Sequence, residues 1–98
     1  MLEVRRTDEF AKWLKCLKDT SARSRITLRI RRISSTRNLG DANAVGDRVF
    51  ELRVDCGPGY WLYFANREGE IILLLIDGDK SSQQRDVDKA KWSNREYE

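Results

Sequence analysis

Glu51, Arg53, Trp61 and Tyr63 lie in two apolar-rich stretches separated by Cys56-Gly57-Pro58-Gly59. In the first, Phe50, Leu52 and Val54 alternate with Glu51, Arg53 and Asp55; in the second, Tyr60, Leu62 and Phe64 alternate with Trp61 and Tyr63. A period of two marks half-exposed strands, and the glycine-proline turn makes them neighbours. On that register a carboxylate, a guanidinium and two aromatic rings share one sheet face, within reach of one another as cross-strand pairs. Lys80, just past the aliphatic run 71–76, is placed to reach the same face. Such a set suits a nucleic-acid strand: cations hold phosphates, rings stack on bases, and a carboxylate can take a proton from a ribose 2′-OH. The same residue types also fit an ordinary solvated strand face.

What the chain lacks narrows the chemistry. There is no histidine among its 98 residues, so imidazole-based triads, dyads and acid/base pairs are excluded. Cys16 and Cys56 stand far apart with no paired-cysteine spacing, which argues against structural zinc and for reduced thiols packed as small hydrophobes. No metal and no cofactor are expected. The aliphatic run is six residues long, against the roughly 20 that a membrane helix needs. The first ten residues carry no apolar stretch after their basic pair, so a cytoplasmic protein with no membrane partner is expected.

Net charge is only +3, but residues 12–37 hold nine basic side chains against Asp19 alone, a local charge of +8. Arg25, Arg29 and Arg32 fall at i, i+4 and i+7, which lines them along one helix face as a basic ridge. A local excess of this size points to a polyanionic partner, nucleic acid first and an acidic protein segment second.

The elements that must position these groups follow from the pattern. Residues 2–5 alternate as a short strand, and Thr7 stands as N-cap ahead of Asp8 and Glu9. Phe10, Trp13, Leu14 and Leu17 form the core stripe of a first helix, with Lys12, Lys15 and Lys18 outside. A second helix buries Ala22, Ile26, Ile30 and Ile33 behind the arginine ridge. Residues 37–47, with two glycines and several turn formers, read as a loop. Three strands follow as an antiparallel meander, the run 71–76 being buried on both faces. From Ser81 the chain is polar, with Val87 and Ala90 marking a weakly amphipathic third helix and Trp92 pointing away from them. The expectation is a single α+β domain over residues 1–98: two N-terminal helices packed on an antiparallel sheet of about four strands, then a short C-terminal helix.

Several stretches together resemble the addiction-module killer branch of the RelE/ParE toxin superfamily, of the HigB/RelE kind. They are Glu3-Val4-Arg5-Arg6-Thr7 with Phe10-Ala11-Lys12-Trp13-Leu14, then Gly40-Asp41, Val45-Gly46, and Val49 with Glu51-Leu52-Arg53. Gly57-Pro58-Gly59-Tyr60, Tyr63-Phe64 and Gly78-Asp79-Lys80-Ser81 with Gln83 and Arg85-Asp86 complete the series, which covers nearly the whole chain. The resemblance implies a toxin neutralised by an antitoxin encoded beside it, a helix-turn-helix protein. It also implies an mRNA interferase that cuts ribosome-bound mRNA by metal-independent 2′-OH attack. In that reading Glu51 is the base, Arg53 and Lys80 stabilise phosphorane charge, and Trp61, Tyr63, Arg25, Arg29 and Arg32 bind RNA. Glu51 falls where RelE has a lysine, and Trp61 stands where arginine usually follows the Gly-Pro-Gly-Tyr pattern. Near the C-terminus only Gln83, Asp86 and Tyr97 are available as acid or base. Two other activities stay open on the same fold: non-enzymatic inhibition of DNA gyrase, as in ParE, and a catalytically inactive binding module.

Overall fold

The computed structural model describes residues 3–36, 42–55, 59–78 and 83–97. The chain runs β1 (Glu3–Arg6), α1 (Asp8–Cys16), α2 (Thr20–Thr36), β2 (Asn43–Gly46), β3 (Val49–Val54), β4 (Tyr60–Arg67), β5 (Glu70–Asp77) and α3 (Gln83–Glu96). The strands form one sheet in the order β1-β5-β4-β3-β2.

The α+β class stands, and the sheet differs from expectation in two ways. It has five strands and is mixed, because β1 pairs in parallel with the distant β5, Glu3 opposite Glu70 through Arg6 opposite Leu73. The fifth strand, β2, falls inside the segment read as a loop. It pairs antiparallel with β3 through Asp47-Arg48, a two-residue turn whose members both hold positive φ, 56° and 65°. That is the primed hairpin geometry, built here without the usual glycine.

The helices pack on both faces. Thr7 caps α1: its side-chain oxygen accepts from the Phe10 amide at 3.1 Å while its hydroxyl donates to the Leu74 carbonyl at 2.9 Å, tying the helix start to β5. Asp19 accepts from the Ala22 amide at 3.2 Å ahead of α2. Phe10, Ala22, Ile26 and Ile33 from these helices are buried against Leu52, Leu62, Phe64 and Leu73 of the sheet. Phe50 and Phe64, directly paired across β3 and β4, stack at 5.6 Å on this face.

On the opposite face lies α3, a full 14 residues rather than a short helix. It seats Val87 and Ala90 over Val49, Tyr63, Ala65, Ile72, Leu74 and Leu75. The side-by-side burial of Leu74 and Leu75 on this one face follows from a bulge: Tyr63 pairs with Leu75 but Phe64 with Leu73, leaving Leu74 unpaired. Cys16 is exposed, not packed as a small hydrophobe, because it ends α1 on the side away from the core stripe; Cys56 lies outside the described residues. No helix among the described residues is long and apolar enough to cross a membrane.

Candidate functional site: a charged and aromatic sheet end beside an arginine groove

Register places the expected residues as two adjacent rows on the α3 face. Glu51 stands opposite Tyr63 on one side and Asn43 on the other. One step along, Arg53 stands opposite Trp61, and Trp61 in turn opposite Asp77 of β5. The rows are about 7 Å apart along the strand, and neighbours within a row about 5 Å apart.

The four side chains differ in access. Arg53 is exposed, with its Nε 3.1 Å from the Asp55 carboxylate and its guanidinium over Gly59. Glu51 and Trp61 are half-buried, Trp61 resting on the core beneath α3. Tyr63 is fully buried, which corrects its assignment as an RNA-stacking ring: α3 covers the outward phase of β4 at this point and leaves no ring face for a base. Its hydroxyl ends in the interior without a well-formed hydrogen bond. Burial first, then the negative charges of Glu51, Asp86 and Asp77, push this phenol well above its ordinary range. Tyr63 therefore stays a neutral phenol.

Arg53 also belongs to a second feature. Arg25, Arg29 and Arg32 of α2 face it across an open groove of about 570 Å³, with Leu28 and Val54 as apolar patches and Asp55 at the margin. The three ridge arginines thus line one groove together; Arg53 lines it at the sheet end, while its side chain, by register, belongs to the opposite, α3 face and pairs with Asp55. Leu28 is 62% exposed in the middle of this cationic wall. Lys80 lies outside the described residues and is not placed. Among the described residues no cluster of three or more possible metal ligands occurs.

Sequence reasoning missed Asp77, whose position beside Trp61 depends on the β4–β5 register across the bulge. It also missed Arg67. This residue donates to the Asn94 side chain at 2.9 Å and to the Asn94 and Tyr97 carbonyls at 2.6 and 3.1 Å, with the Tyr97 ring 5.6 Å from the guanidinium carbon. That clamp holds Tyr97 at the far end of β4, about 20 Å from Trp61 and outside the candidate site.

The fold is RelE-like. A solved structure of the Escherichia coli toxin RelE, a mutant with two arginines replaced by alanine and in the free state, superposes with a TM-score of 0.74 over 98% of both chains, at 12% identity. In sequence the chain is 41% identical over 90 residues to an uncharacterized protein of Haemophilus influenzae (strain Rd), covering 92% of this chain and 90% of that one. It belongs to the family of that protein. No protein-family profile matches the chain.

Proposed function

We propose that the protein is the toxin of a type II toxin-antitoxin module, of the addiction-module killer branch, and that it cleaves mRNA on the ribosome. The observation that carries this reading is an open groove lined by Arg25, Arg29 and Arg32 that ends at Arg53, a residue at the sheet end whose own face, the one opposite α2, carries Glu51 and Trp61. Phosphates of a single strand run along Arg25, Arg29 and Arg32 and reach Arg53. There Glu51 takes the 2′-OH proton, the 2′-oxygen bonds to the adjacent phosphorus, and the P–O5′ bond breaks, the 5′-oxygen taking its proton from water to leave a 2′,3′-cyclic phosphate; Arg53, with Lys80 from the adjoining segment, stabilises the charge on the pentacoordinate phosphorus. Trp61 stacks a base. A site without imidazole gains from substrate positioned by the ribosome, since fixed orientation replaces part of the missing acid/base power. The partner that silences it is an antitoxin encoded by the adjacent gene, presenting acidic side chains to the ridge.

A second reading, a toxin that inhibits DNA gyrase by binding or an inactive relative, is favoured by two observations: an indole at position 61 and the remoteness of Tyr97. Translating ribosomes incubated with purified protein, with mRNA ends mapped, test the first reading. Arg53→Ala and Lys80→Ala are each expected to slow cleavage by roughly ten- to a thousandfold, circular dichroism confirming the fold. Supercoiling inhibition without cleavage assigns the second reading, and neither signal leaves the binding module.

A further inference from the structure

Arg25, Leu28, Arg29 and Arg32 fall at i, i+3, i+4 and i+7 of α2, so the exposed leucine shares one helix face with the arginines. The stripe that seats α2 on the sheet is a different one, Ala22, Ile26 and Ile33, all fully buried. Leu28 is therefore surplus to the packing of the helix. Across the groove lies Val54, whose buried side chain leaves an aliphatic wall, and beyond it Arg53, already paired with Asp55. Neither Arg25 nor Arg29 has an ion-pair partner among the described residues. The groove thus offers two uncommitted cations about 6 Å apart along α2, with a leucine beside both. No aromatic ring is among the residues that line it.

We propose that this groove seats an acidic amphipathic helix of a partner protein, whose carboxylates pair with Arg25 and Arg29 while one aliphatic side chain between them packs on Leu28 and Val54. The inference rests on the toxin reading above, in which the partner is the antitoxin, and adds an apolar anchor that decides which acidic segments fit. Charge alone does not choose between a row of carboxylates and a row of phosphates. Leu28 does. Phosphates gain nothing from a leucine, and a nucleobase finds no aromatic ring in the groove on which to stack. An aliphatic side chain gains in proportion to the apolar area it takes out of water, and the methylene stems of the arginines widen that area. A helix meets the pattern because carboxylates one turn to either side of an apolar residue project from the same face as it does. The same two cations serve phosphates in the RNA reading, so the helix and an RNA strand compete for them.

The test uses two synthetic helical peptides of equal charge, each with glutamates at i−4, i−3, i+3 and i+4 about a central position that is leucine in one and glutamine in the other. Affinity is read by fluorescence anisotropy, beside that of labelled oligouridine. The wild type should bind the leucine peptide about tenfold tighter than the glutamine peptide, and unlabelled leucine peptide should displace oligouridine. Leu28→Asn should bring the two peptides to within about twofold, circular dichroism confirming the fold, and Leu28→Met should keep the preference. Replacing Arg25 and Arg29 together by glutamine should weaken both peptides by about tenfold or more and leave their ratio. Equal affinity for the two peptides, or binding of neither, overturns the proposal, as does a preference that persists in Leu28→Asn. Peptide and oligouridine bound at the same time would place the helix elsewhere and overturn it too. If Leu28→Asn weakens oligouridine as much as the leucine peptide, the apolar patch serves RNA and the proposal falls. Peptides bound alike while mRNA is still cut on ribosomes sink the anchor alone; a leucine preference with no RNA bound and no mRNA cut supports the anchor and sinks the RNA reading.

Discussion

Glu51 and Tyr63 stand directly opposite each other on β3 and β4, and the tyrosine hydroxyl is sealed beneath α3 with no well-formed hydrogen bond. Removing a buried polar atom that has no good partner costs little, because the desolvation penalty disappears with it. Tyr63→Phe should leave stability within about 0.5 kcal/mol of wild type or raise it by about 1 kcal/mol, measured by urea denaturation. A loss of more than about 2 kcal/mol would mean that the hydroxyl is well bonded after all.

The same phenol sets an alkaline limit. Its folded-state pKa lies above the unfolded value near 10, so its contribution to stability is intact below about pH 10 and is lost as pH rises beyond it. Wild-type stability should fall through the alkaline range more steeply than that of Tyr63→Phe. Parallel slopes for the two proteins would remove Tyr63 as the cause.

Arg67 and Asn94 hold the C-terminal end of α3. The Asn94 side chain accepts from Arg67 and, through its amide, donates to the Asp47 carbonyl at 3.1 Å in the β2–β3 turn. Arg67→Ala should cost about 2 to 3 kcal/mol, since it removes charge-assisted bonds to a partly buried amide and two carbonyls. Hydrogen exchange should show protection lost first in α3 and in the β2–β3 turn. Uniform loss across the sheet would show that α3 does not open separately.

Arg48 is held at φ 65° in that turn, a conformation that side chains with a Cβ adopt at a cost. Arg48→Gly should stabilise the fold by up to about 1 kcal/mol, relief of strain outweighing the extra freedom of the unfolded chain. A lower melting temperature in the variant would show that the arginine makes a compensating contact.

The ridge predicts a salt signature. Reversing Arg25 and Arg29 to Glu should weaken binding of ribosomes or antitoxin, and should lower the slope of log affinity against log salt for single-stranded RNA by about 1 to 2. Unchanged affinity and slope for every one of these partners would place the anion-binding surface elsewhere.

The helices and the β3–β4 pair were legible in the sequence because their apolar residues recur at clean periods, and the burial of Phe10, Ala22, Ile26, Leu52, Leu62 and Phe64 follows those periods. β2 was not, since Asn43-Ala44-Val45-Gly46 has one sizeable apolar side chain and its turn lacks the glycine that signals a hairpin. The unbroken run 71–76 carried no mark of the Leu74 bulge, so the alignment of Asp77 with Trp61 could not be read. The burial of Tyr63 was hidden for another reason. Val87 and Ala90 are small and few, and a helix so polar gives little sign of covering a sheet face; its seat depends on Arg67 and Asn94, side chains that apolar periodicity does not score.

Thr7 reaches the Leu74 carbonyl across 67 positions of the sequence, and β1 has its sheet partner in β5. During synthesis the first strand and the cap of the first helix therefore wait, unpaired, until nearly three-quarters of the chain has been made. Contacts of such long range close late and slowly. The sheet that carries Glu51, Arg53 and Trp61 is complete only once β5 has been made and has paired with β1, so on the RNA-cleaving proposal an active surface would be assembled late in synthesis.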